Sequence, residues 1–193
     1  MRHRKRGRTL GRSPSHRKAM RKNMLAALFL TEREIDDPKL DPNPPKVRGR
    51  IVTTVAKAKE MRPEVEKCIT KARRAYEAIQ AAKPHKTDAQ RGTDAYEAWK
   101  KSDKYKSWVK AVAPAVAIRR RLISQVGDKK AVSILINTIA PRFLGRPGGY
   151  TRILKLATPR LGDAGPRAIL EFVGKNDRRT TRSAKPAFEG SNA

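Results

Sequence analysis

The chain has 193 residues, 46 of them Lys or Arg and 18 Asp or Glu, for a formal net charge of +28 and a pI near 11.1. Self-repulsion of that size opposes compaction, which argues against a free soluble enzyme and for a polyanionic partner, nucleic acid ahead of an anionic membrane surface. No apolar run approaches the roughly 20 residues of a bilayer span, and a lone cysteine, Cys68, excludes an internal disulfide framework.

The first 22 residues form a basic arm without an acidic residue. Gly7, Gly11, Ser13 and Pro14 argue against helix in its first part, and with so little apolar surface it is expected to be disordered in the free chain. Ser13-Pro14 is a helix start, serine as cap and proline at the first helical position. Met20, Met24, Ala27, Leu28 and Thr31 then recur at helical spacing, while Arg17, Lys18, Arg21 and Lys22 lie on another face. The apolar run "MLAALFL" at 24–30 is short and followed by Glu32 and Glu34. With no signal-peptide cleavage pattern, a cytoplasmic protein is expected.

Residues 36–49 hold four prolines and three aspartates and read as a surface loop. "RIVTT" (50–54) reads as a short strand. Thr54 is placed to cap a helix over 55–61, and Pro63 starts or kinks the next one. Val65, Cys68, Ile69, Ala72 and Tyr76 follow with helical spacing, which makes Cys68 a small buried residue rather than a reactive thiol. A polar stretch at 83–92 precedes an added helix over 93–112, whose Tyr96, Trp99, Tyr105 and Trp108 favour packing over stacking on bases. A further helix is predicted over 114–126, with Arg119–Arg121 as a cationic cluster. Asp128 caps the last helix, with Val132, Leu135, Ile136 and Ile139 as its stripe. "YTRILKLA" (150–157) and "RAILEFV" (167–173) read as strands joined by the turn-rich "TPRLGDAGP".

A catalytic constellation is not legible. His3, His16 and His85 lack metal-ligand spacing, and neither a nucleophile elbow nor a Walker-type loop is present. "RPGGYTRILKL" (146–156) follows a helix and opens a strand, the reverse of a nucleotide-binding phosphate loop. Its glycines suit a sharp turn that brings backbone close to another surface, with Arg146 and Arg152 flanking and Tyr150 packing or stacking.

Four parts of the chain then carry a family resemblance. "MRHRKRGRTLGRSPSHRKAMRKNML" resembles the opening of the bacterial large-subunit ribosomal protein seventeen family. "RIVTTVAKAKEMRPEVEKCIT" is similar to that family's signature, and "RPGGYTRILKL" with "RLGDAGPRAILEFV" to its closing hairpin. "DKKAVSILINTIAPRF" fits the helix before the hairpin. The resemblance implies an α+β two-layer fold of helix, strand, three helices and two strands, with a small mixed sheet covered by helices. It implies no enzymatic activity, and the residues themselves lead to no expected cofactor, metal or small-molecule substrate. It implies binding to large-subunit ribosomal RNA near the nascent-peptide exit, beside neighbouring large-subunit ribosomal proteins.

The positions it matches to RNA contact are Arg2, His3, Arg4, Lys5, Arg6, Arg8 and Arg12 of the arm, then Arg17, Lys18 and Arg21 behind it. Lys57, Lys59 and Arg62 follow the Thr pair, and Arg146, Gly148, Gly149, Tyr150 and Arg152 form the closing turn. The expected organisation is a basic arm (1–13), a single α/β domain (14–173) with insertions near 36–49 and 75–115, and a disordered basic tail (174–193). The alternatives are a general DNA-binding or nucleoid-compacting protein, which the arm and charge alone would serve, and an RNA-modifying enzyme, which needs a pocket or acid/base pair the sequence does not display.

Overall fold

A computed structural model describes residues 7–35 and 44–174. The expectations for Arg2, His3, Arg4, Lys5 and Arg6, for 36–43 and for the tail from 175 onward lie outside those residues.

Helix α1 runs Pro14–Leu30, with the Ser13 hydroxyl accepting from the His16 amide. Its core-facing residues are Leu25, Leu28 and Phe29. Of the expected stripe, Leu28 and Thr31 are buried and Met24 packs at the edge of the core, while Met20, Met24 and Ala27 also line a groove against Ile51 and Val52. Strand β1 is Arg50–Thr54, and α2 follows at once as Val55–Ala82, unbroken through Pro63. Pro63 lacks an amide hydrogen, but it stands on the exposed side, where water can satisfy the carbonyl left over. The opposite side buries Ala58, Met61, Val65, Cys68, Ile69 and Ala72, so packing keeps the helix continuous.

Helix α3 is Asp94–Lys101 and α4 is Asp103–Val126. The break predicted near 113 therefore falls at Ser102 instead, whose extended backbone separates the two helices, while α4 passes through Pro114. The rings explain the shift. Trp99 meets Tyr105 at 5.0 Å, Tyr96 at 5.5 Å and Trp108 at 5.6 Å, a cluster that needs a turn between its two halves. The chain then forms α5 (Lys129–Ile134), capped by Asp128, a π-helical turn at Leu135–Ile139, and α6 (Ala140–Arg142). Strands β2 (Thr151–Lys155) and β3 (Arg167–Phe172) close the fold.

The sheet order is β1-β3-β2. Both pairings are antiparallel, Val52 and Leu154 each facing Ile169, so the mixed sheet expected from sequence is corrected to an antiparallel one. The direction follows from the chain path: β2 and β3 form a hairpin, and β1 adds to the far edge of β3. Ala168 and Leu170 point into the core with α2, while Val52 and Leu154 are exposed on the outer face. The α+β class therefore agrees with the sequence reading.

One joint ties three elements. The Thr31 hydroxyl donates to the Leu28 carbonyl at 2.6 Å and accepts from the Gly49 amide at 3.1 Å. The Gly49 carbonyl accepts from the Phe172 amide at 2.9 Å. Gly49 has φ of +74°, and a Cβ there would lie 2.8 Å from a Glu32 carboxylate oxygen. Glu32, buried, takes both arms of the Arg142 guanidinium at 2.8 and 2.5 Å. That bidentate bond pushes the Arg142 pKa up further.

Glu32→Ala removes the acceptor for two charge-assisted bonds, one partner of which is half exposed. We expect urea unfolding to show a loss of about 1–3 kcal/mol; a change under a few tenths would mean the pair is idle.

Candidate nucleic-acid interface

The described part of the arm is docked by acids of α2. The Arg8 amide donates to Glu60 at 3.1 Å, and Arg21 of α1 bonds Glu64 at 2.8 Å. Arg17, half-buried, reaches back to the Arg8 carbonyl at 3.4 Å. Inward bonds thus run through the arm's backbone and through Arg17 and Arg21, leaving the Arg8, Arg12 and Lys18 side chains exposed. Arg12 approaches the His16 ring at 2.6 Å. Both line the groove between α1 and β1, and Lys57 lines it from the start of α2. The structure therefore brings Arg12 and Lys57, 45 residues apart in sequence, to one groove. Lys59 and Arg62 stand exposed on α2.

The turn at 146–151 is built against one flank of α2. Glu66 accepts from the amides of Gly149 and Thr151, both at 3.1 Å, and from the Thr151 hydroxyl at 2.9 Å. Arg73 donates to the carbonyls of Leu144 at 2.6 Å and Arg146 at 2.8 Å, and to the Tyr150 hydroxyl at 2.8 Å. Gly149 takes φ of +65°, with open space where a side chain would begin. Tyr150 is 1% exposed and packs on Phe143 at 5.2 Å. Its expected place among the RNA contacts is corrected: the ring belongs to the core, with no face open for a base.

Arg146 is half-buried and its Nε folds onto the Gly148 and Gly149 carbonyls at 3.3 and 3.1 Å. Gly148 is half-buried beside it. Arg152 bonds Glu171 of the neighbouring strand at 2.5 Å yet stays half exposed. Of the closing-turn residues, Gly149 and Arg152 are exposed, and Arg146 and Gly148 keep part of their surface open. Sequence reasoning gave no role to Arg73 and counted Glu66 only within the family signature. Both lie on the flank of the α2 stripe, seven residues and two turns apart, and charged residues so placed beside a long apolar stripe are a legible sign of a docked neighbour.

Chemistry of the enzymatic kind finds no foothold in Cys68. Burial pushes its thiol up to about 12, and a neutral thiol is a poor nucleophile. Among the described residues, no group of three His, Cys, Asp or Glu side chains is placed to hold a metal, and no helix is long and apolar enough to cross a membrane. The Trp99 indole donates to the His85 carbonyl at 3.2 Å, so the ring cluster of α3 and α4 is also tied to the segment that follows α2.

Comparison with known proteins fits this geometry. The family model described as ribosomal protein L17 matches residues 47–173. A protein of Rhodopirellula baltica named large ribosomal subunit protein bL17 is 59% identical over 189 residues, covering 98% of this chain and 89% of that protein. Proteins of the same name from Opitutus terrae and Rickettsia typhi are 37% and 35% identical, over 92% and 91% of this chain and 75% and 87% of theirs.

The turn yields a graded test. Glu66→Ala leaves three donors without their acceptor and should cost about 2–3 kcal/mol in urea unfolding. Gly149→Val should cost about 1–3 kcal/mol through its left-handed backbone alone, since nothing crowds the site. Gly149→Asn, which tolerates that conformation, should cost clearly less than Gly149→Val; equal losses would show that the backbone angle is not the cause.

Proposed function

The chain belongs to the ribosomal protein L17 family, and from that membership we propose that it is a structural constituent of the bacterial large ribosomal subunit. It is not an enzyme, and its place is the cytoplasm, within the ribosome. In this reading it binds large-subunit ribosomal RNA near the nascent-peptide exit, beside neighbouring large-subunit proteins. The arm leads the contact, with Lys57, Lys59 and Arg62 behind it and Gly149 and Arg152 at the closing turn.

The observation that carries this reading is the way the arm is held. The Arg8 amide is bonded to Glu60, Arg17 to the Arg8 carbonyl and Arg21 to Glu64, so Arg8, Arg12 and Lys18 are presented outward on a fixed frame. Cations held in place contact phosphates with less ordering cost than a free arm would incur. Each neutralised phosphate releases counterion, so binding must weaken steeply with salt.

Sedimentation of a cell extract checks this. The protein should travel with large subunits at low salt and be stripped at high salt. Purified protein should also prefer large-subunit RNA over a DNA duplex at matched salt. A persistent pool on the nucleoid, or equal affinity for the duplex, would favour the DNA-binding alternative instead.

A further inference from the structure

Helix α4 carries a second cationic face, apart from the arm. From Lys104 to Gly127 the sequence contains no carboxylate, while Lys104, Lys106, Lys110 and Arg119–Arg121 supply six cations. Lys110, Ala113, Ala117 and Arg120 follow at i, i+3, i+7 and i+10, so they share one side of the helix, and all four are exposed. Arg121, also exposed, lies next to Arg120 on the margin of that side. Lys106 is engaged by Asp103 at 2.9 Å, but Lys110, Arg120 and Arg121 have no ion-pair partner among the described residues. The buried residues, Ala115, Leu122 and Val126, lie on the opposite side.

The shape of this face is as informative as its charge. Two alanines form a flat floor between the cations. Lys110 and Arg120 are ten residues apart, which along a helix is about 15 Å. A flat floor with cations at each end suits the wide, shallow minor groove of an A-form RNA duplex, which is recognised through shape, 2′-hydroxyls and the bordering phosphates. The major groove of such a duplex is too deep and narrow for the helix to enter. The first half of α4 buries none of its side chains fully, and the Tyr96–Trp99–Tyr105–Trp108 cluster is what stiffens it against α3. The second half of α4, which carries Arg120 and Arg121, packs on α2 through Ala115, Leu122 and Val126, and the outer cations take no part in that packing.

We propose that the outer face of α4, through Lys110, Arg120 and Arg121 around the Ala113–Ala117 floor, docks across the minor groove of an RNA duplex. This site is separate from the arm, and it rests on the reading of the protein as a ribosomal RNA binder. Val109 and Val116, 40% and 41% exposed, lie to one side of the floor and would serve a protein partner if the face were a protein interface.

The test uses the full chain with three glutamines, Lys110→Gln, Arg120→Gln and Arg121→Gln, and a comparison variant carrying Arg12→Gln and Lys18→Gln. All five positions are exposed, so circular dichroism should match the parent. Binding to large-subunit RNA is measured across a salt series, together with a short RNA duplex and the DNA duplex of the same sequence. The α4 variant should lose at least tenfold in affinity for large-subunit RNA, and its log-affinity against log-salt slope should fall by about 3, one for each phosphate contact. Its preference for the RNA duplex over the DNA duplex should shrink. If only the arm variant weakens binding, this proposal falls and the arm reading stands. If the α4 variant binds RNA like the parent but loses a crosslink to another large-subunit protein, the face is a protein interface and the proposal is overturned. If neither variant weakens binding, both the proposal and the arm reading fall.

Discussion

Each carboxylate of this chain has more than two cations competing for it, 46 against 18, and the fold depends on which of them it meets. Among the described residues, five glutamates bridge separate parts of the fold. Glu60 and Glu64 of α2 hold the arm and α1. Glu66 holds the turn before β2, Glu32 holds α6, and Glu171 links β3 to β2. Charge-assisted bonds of this kind are roughly twice as strong as neutral ones, and partial burial protects them from salt. In a chain that repels itself, acids at the joints let elements approach while the surplus cations are pushed to the outside.

Three of the five acids sit on α2, and that helix also supplies the longest buried stripe. It packs against the sheet, α1 and α4 together. This centrality links folding to function. The acids that dock the arm and α1, at 60 and 64, lie within two helical turns of the one that docks the closing turn, at 66. A single rigid element therefore fixes the relative placement of the arm and the entrance to the hairpin, which in sequence stand more than a hundred residues apart. RNA that engages both would meet a preset spacing rather than two independent segments.

What was legible in the sequence was local. Ser13-Pro14 starts α1, "RIVTT" is β1, and Val65–Cys68–Ile69–Ala72 is a buried stripe, because each depends on neighbours within a turn or two. What failed was decided at a distance. Pro63 and Pro114 looked like boundaries, yet tertiary packing carries both helices through them. The break at Ser102 is set by four rings folding together, a contact no propensity reports. Tyr150 follows two glycines and precedes a basic strand, which resembles an exposed ring. It is buried because its ring packs on Phe143, while Arg73, 77 residues earlier, reaches its hydroxyl.

The same distance problem governs which cations are available to RNA. Arg62, Glu66 and Arg73 fall at i, i+4 and i+11 on one flank of α2, and composition treats the two arginines alike. Arg73 is bonded to Leu144, Arg146 and Tyr150 and is a structural clamp, whereas Arg62 is left exposed one turn before Glu66. Arg21, Arg73, Arg142 and Arg152 are all tied to partners within the fold, and among the lysines Lys71 joins them through Gln125 at 2.9 Å. The planar guanidinium can bond two acceptors at once and is weakly hydrated, so it is the cation that survives partial burial. The lysines at 18, 59 and 110 are exposed, where a strongly hydrated ammonium is at home and can still meet a phosphate. Net charge thus overstates the cationic surface of the chain, because part of it is engaged in joints inside the fold.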